Sequence, residues 1–169
     1  MGGMIGQTLA LKAPDVLASL SLCDTSSRIP AEAKPLWAER IKTAETKGME
    51  PLMEPTLGRW LTQATRDRGG LVVERVKSMI RSTKPAGYIG CCHAISQLDL
   101  TDRLSKITIP TLVLVGEEDQ GTPVAASRAI HGEIKGSELA IIKGAAHLSN
   151  MEKPEEFTRI ITAFLGKVA

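Results

Sequence analysis

Three short apolar runs constrain this chain more than any other feature of its 169 residues: positions 17–23 (LASLSLC), 111–115 (TLVLV) and 138–142 (ELAII). Each is too short for a stable helix and bounded by polar or turn-forming residues, the pattern of a strand buried in a parallel sheet. Parallel neighbours cannot be joined by a tight turn and need a longer crossover, usually helical. The intervals between the runs are helical in period, so the order α, β, a helical insertion, β, α, β, α is expected. At this length one folding unit is expected.

Residues 2–13 are glycine-rich and then apolar on nearly all sides (Met4, Ile5, Leu9, Ala10, Leu11) before Pro14 stops them, which predicts a buried helix packed close to other backbone. Between Pro30 and Leu98 four stripes recur at helical spacing: Trp37, Ile41 and Ala44; Met53, Leu57, Trp60, Leu61 and Ala64; Val72, Val73, Val76, Met79 and Ile80; Tyr88, Cys91, Cys92 and Ile95. Prolines and the Arg68-Gly69-Gly70 break punctuate them, so four short helices are expected. Thr122-Pro123 reads as an N-cap with proline at the first helical position, opening a helix to about His131. Pro154 opens a last helix whose Phe157, Ile160, Ile161 and Phe164 form one core-facing stripe.

Composition narrows the partners. With 43% hydrophobic and 24% charged residues the chain reads as globular and soluble. Lysine and arginine number 21 against 19 aspartates and glutamates, and they are dispersed, so neither nucleic acid nor a membrane surface is an expected partner. No apolar stretch approaches the roughly twenty residues of a spanning helix. The amino-terminal MGGMIGQTLA lacks the cationic start and apolar core of a secretory signal, so a cytoplasmic location is expected. Three cysteines, two of them adjacent (Cys91 and Cys92), fit reduced thiols rather than a disulfide framework, and with His93 they lack metal-ligand spacing.

Ligands of parallel α/β sheets bind where loops leave the carboxyl ends of the strands. Two such loops stand out, GEEDQGTP after position 115 and KGAAHLSN after position 142. If their strands are neighbours, about 5 Å apart, Asp119 and His147 come within reach of each other. A carboxylate aimed at an imidazole fixes its tautomer and stabilises the imidazolium, as a general base needs. Singly, an Asp in a turn is usually a cap and a lone His a surface or core residue.

The segment VGEEDQGTP, followed by a helix, a strand and GAAHLSNMEKPEEF, resembles the acid and histidine motifs of the α/β-hydrolase family. The form H-x-S-N-x-E-x-P looks most like the 3-oxoadipate enol-lactone hydrolases. MGGMIGQTLALKAPDVLASLSLCDT is similar to the helix and strand that follow the family's nucleophile elbow, and the four helical stripes resemble its cap. The resemblance implies a partial α/β-hydrolase fold: three mostly parallel strands with flanking helices at residues 1–29 and 99–169, and a four-helix cap at residues 30–98. It implies Asp119 as acid, His147 as base, and Trp60, Tyr88, Cys91 and Cys92 as pocket lining, with no cofactor or metal. In the elbow G-x-S-x-G, the N–H of the residue after the serine lines the oxyanion hole. Aligning the family's S-M-G-G onto Met1-Gly2-Gly3 places the serine just before Met1 and leaves Met1 as the remnant of that hole. The expectation is a C-terminal portion of a hydrolase, short by on the order of ninety residues and inactive alone.

Other residues compete for roles. Ser149, two positions from His147, is read as structural, and Cys91 and Cys92 as core or pocket lining. Some members of the fold place the acid after the earlier strand, which makes Asp24 a second acid to weigh, although such an Asp more often caps a turn. Gly2, Gly3 and Gly6 follow no strand and make a weak dinucleotide signal. Arg59, Arg66 and Arg68 could anchor a carboxylated lactone or form a solvated helix face. Two functions stay open: part of a serine hydrolase acting on an ester or lactone, or a non-catalytic binding or assembly module derived from one. In either case the bared edge of the first strand is expected to pair, as a homodimer or with a chain that supplies the missing half of the sheet.

Overall fold

The computed structural model describes residues 1–168. Strands β1 (Leu20–Cys23), β2 (Thr111–Gly116) and β3 (Glu138–Ile142) form one parallel sheet in the order β1-β2-β3. Leu22 pairs with Val113, and Val113 with Leu139. The central strand β2 is buried at all six positions, which explains its unbroken apolar sequence. β1 starts three residues into its apolar run, at Leu20, which pairs with Thr111, the first residue of β2.

Helix α1 (Gly2–Lys12) lies against β1. A Cβ on Gly3 would stand 2.6 Å from the Thr25 side chain, so only glycine allows this approach. The helix is not buried all round as its sequence suggested: Ile5 is 61% exposed.

Between β1 and β2 the chain forms five α-helices rather than the expected four: α2 (Lys34–Lys47), α3 (Met53–Trp60), α4 (Gln63–Arg68), α5 (Leu71–Ser82) and α6 (Pro85–Ser96). The second stripe is split because Leu61 is extended and Thr62 caps α4, its hydroxyl accepting the Thr65 N–H at 3.2 Å. The insertion closes at its base, where Arg28 bridges Asp99 in antiparallel fashion and its guanidinium reaches the Asp99 and Asp102 carboxylates at 2.5 and 2.7 Å.

Helices α7 (Val124–Glu133), α8 (Ser149–Glu152) and α9 (Pro154–Val168) complete the structure. Thr122 does not cap α7. The N-cap is Pro123, and the Thr122 hydroxyl donates to Asp119 instead. One core joins α1 and α7 to the sheet through Ala10, Leu22, Val113 and Ile130. A second joins α9 to it through Leu112, Leu114, Ile142 and Phe164, so the stripe on the last helix does face the core. A third cluster lies within the insertion (Leu57, Leu61, Val76, Ile80), with Leu148 and Met151 packed against it. No helix among the described residues is long and apolar enough to cross a membrane.

Candidate active site

Because Gly116 and Ile142 are register partners, the chain leaves β2 and β3 side by side. Backbone bonds then stitch the loops together: the Glu117 N–H donates to the Ile142 carbonyl and the Glu118 N–H to that of Ala145, each at 2.9 Å.

On this frame Asp119 is buried, 3% exposed, and all of its acceptor capacity is used. Oδ1 accepts the Gly121 and Thr122 N–H groups at 2.7 and 2.9 Å. Oδ2 accepts the Thr122 hydroxyl at 2.7 Å and faces His147 Nδ1 at 2.8 Å. Burial alone would raise this carboxyl, but the His147 hydrogen bond and charge, with the Thr122 N–H and hydroxyl, outweigh it and hold it below the usual carboxylate range. An ionised carboxylate only accepts, so Nδ1 carries a proton, and in the neutral imidazole Nε2 is the nitrogen with the free lone pair. Among the described residues no hydrogen bond reaches Nε2.

The imidazole borders a cleft of about 370 Å³ whose wall includes Met1, Cys23, Asp24, Asn150 and Phe157. Trp60 stacks on His147 with ring centroids 6.1 Å apart. None of Trp60, Tyr88, Cys91 and Cys92 is on this wall: Trp60 meets only its His147 ring, and Cys92 is buried at 1% exposure beside Tyr88 in the insertion. Arg59, Arg66 and Arg68 reach residues of their own turns, Thr56, Gln63 and Thr65. Burial pushes the Cys23 thiol up to about 12 and keeps it protonated. Among the described residues no group of three or more His, Cys, Asp or Glu is placed to hold a metal ion.

Asp24 makes no hydrogen bond to the imidazole. Its Oδ1 accepts the Gly116 N–H at 2.8 Å and its Oδ2 the Ser149 hydroxyl at 2.5 Å. Burial pushes this carboxyl up to about 6 against the Ser149 and Gly116 hydrogen bonds. Ser149 is wholly buried and committed to Asp24, which is a structural role, although it opens α8 rather than lying in an extended loop. Sequence reasoning missed Glu152, whose carboxylate joins Ala146 to Thr62. The signal was present as the unassigned glutamate of H-x-S-N-x-E-x-P.

The family profile described as the alpha/beta hydrolase fold matches residues 1–154. The chain belongs to the α/β-hydrolase fold family. It is 30% identical over 167 residues to 3-oxoadipate enol-lactonase 2 of Acinetobacter baylyi, covering 99% of this hydrolase-family chain and 61% of that protein. Among solved structures, the enol-lactonase from Burkholderia xenovorans superposes with a TM-score of 0.93 at 31% identity over 98% of this chain and 63% of that one. A thermophilic esterase from Thermogutta terrifontis gives 0.91 at 33% identity, over 99% of this chain and 62% of the other. The family chain described here thus spans about three fifths of the length of these relatives.

Proposed function

We propose that Asp119 and His147 are the acid and general base of a serine hydrolase acting on an ester or lactone of enol-lactone type. The observation that carries this reading is the 2.8 Å contact from His147 Nδ1 to the buried Asp119 carboxylate, which leaves Nε2 beside the cleft as the basic atom. A serine hydroxyl attacks the carbonyl carbon while Nε2 takes its proton. The tetrahedral oxyanion collapses, Nε2 returns that proton to the departing oxygen, and water repeats the sequence on the acyl-enzyme. The hydroxyl that attacks is not Ser149, which is held by Asp24. In our reading the serine comes from the family's G-x-S-x-G elbow, and the Met1 N–H helps to hold the oxyanion. The insertion at residues 30–98 acts as a cap, with Trp60 its contact to the base.

The outer edge of β1 carries no strand among the described residues, and Ile5 of α1 and Val16 of the turn before β1 are 61% and 69% exposed. These features support pairing with a polypeptide that adds the strands bearing the serine, or with a second copy. To test the function, p-nitrophenyl acetate and an enol-lactone are offered to the chain alone and to the chain preceded by a G-x-S-x-G-bearing half. We expect turnover only in the second, lost in His147→Ala and surviving in Ser149→Ala. Turnover that survives His147→Ala would discredit the base, and none in the extended chain would favour a non-catalytic binding module.

A further inference from the structure

A single carboxylate ties the corner between α3 and α4 to the loop that carries His147. Glu152 Oε1 accepts the Thr62 N–H at 3.0 Å and the Thr62 hydroxyl at 2.8 Å, while Oε2 accepts the Ala146 N–H at 2.7 Å. All three partners donate, so an ionised carboxylate satisfies them, whereas a carboxamide would turn its NH₂ toward a donor. The tied segments also meet directly. The Leu148 N–H donates to the Trp60 carbonyl at 3.1 Å, and the Trp60 ring stacks on His147. From the sheet side the same loop is held by Asp119 on His147 and by Asp24 on Ser149. The imidazole therefore sits between two anchorages, one on the strands and one on the insertion.

We propose that Glu152 is a positioning residue that couples the helical insertion to His147. While the Trp60–Thr62 corner is seated on the carboxylate, the loop holds the imidazole against Asp119 and on the Trp60 ring. When the corner lifts, that orientation is lost. A movement of the insertion then changes the geometry of His147 as well as access to it. The catalytic consequence rests on the reading of His147 as general base; the coupling itself does not.

A tie that only stabilised the fold would lower the melting temperature without altering how His147 meets Trp60. The test uses a Trp37→Phe background, which leaves Trp60 as the sole tryptophan. The readout is the acid quenching of Trp60 emission by the His147 imidazolium, defined as the part lost in His147→Ala. We expect this quench to be largely lost in Glu152→Gln, reduced in Thr62→Ala and restored in Thr62→Ser. Val76→Ala, which opens a cavity in the insertion core, should lower the melting temperature and keep the quench. A full quench in Glu152→Gln, or its equal loss in Val76→Ala, would overturn the proposal. Should Glu152→Gln not fold, the Thr62 pair decides: a full quench in Thr62→Ala overturns it. The fluorescence requires no turnover, so a failure of the hydrolase reading is seen separately in the ester assay.

Discussion

Gly116 and Ala146 approach so closely that a Cβ on Gly116 would lie 2.3 Å from the Ala146 carbonyl oxygen, and 2.4 Å from that of Ala145. The end of the central strand is thus flush against the loop that presents His147. Both obstructing atoms are backbone, so Gly116→Ala forces the loop outward. We expect a loss of about 1–3 kcal/mol in urea unfolding, the usual cost of overpacking. An unchanged midpoint would show that the loop yields freely.

Asp24 gives a pH-dependent effect of opposite sign to that of most carboxylates. Its folded value of about 6 lies above the ordinary one, so its contribution to stability is greatest in acid and is lost as pH rises through about 6. Asparagine keeps the acceptor for the Gly116 N–H, donates to the Ser149 oxygen and tolerates the φ of 45° found at this position. Asp24→Asn should therefore stabilise the chain at pH 8, by up to about 3 kcal/mol, and change little at pH 4. Unfolding curves at the two pH values check this, and a gain at pH 4 alone would contradict it.

Asp119 behaves the other way. Its carboxyl is held below the usual range, so the stability it contributes is present above about pH 4 and is lost as pH falls through the lowered value. Asp119→Ala also leaves the buried Thr122 N–H without its acceptor. We expect a cost of about 3 kcal/mol at pH 7, shrinking markedly at pH 3, by the same unfolding measurement. Equal costs at both values would mean that the carboxylate charge contributes nothing.

Most of the sheet could be read from the sequence because a central parallel strand has no solvent face to interrupt it. Residues 111–115 form β2 with one residue added, and the apolar stripe of α9 packs where its spacing placed it. The juxtaposition of Asp119 and His147 followed from strands in consecutive positions. Local competition was harder to read. Thr122 looks like a cap, yet its hydroxyl finds a buried carboxylate three residues back. Thr62 sits within an apolar stripe of helical period and nonetheless breaks it, because its side chain caps one helix and reaches Glu152 from 90 positions away. Such long-range polar partners leave no periodicity in a sequence. The exposed side of α1 was missed because an apolar helix reads as buried whichever neighbours it has.

Because the outer edge of β1 pairs with no strand among the described residues, we propose that the chain associates. Light scattering coupled to size exclusion at micromolar concentration should report a dimer or larger species. A clean monomer would argue against the pairing we propose.

The imidazole itself is the most direct witness. With histidine nitrogen-15 labelled and spectra recorded at pH 8, His147 should show its proton on Nδ1, bonded to Asp119, with Nε2 bare, and Asp119→Ala should abolish that preference. A proton residing on Nε2, or a spectrum indifferent to the loss of Asp119, would contradict an acid and base poised for hydrolysis.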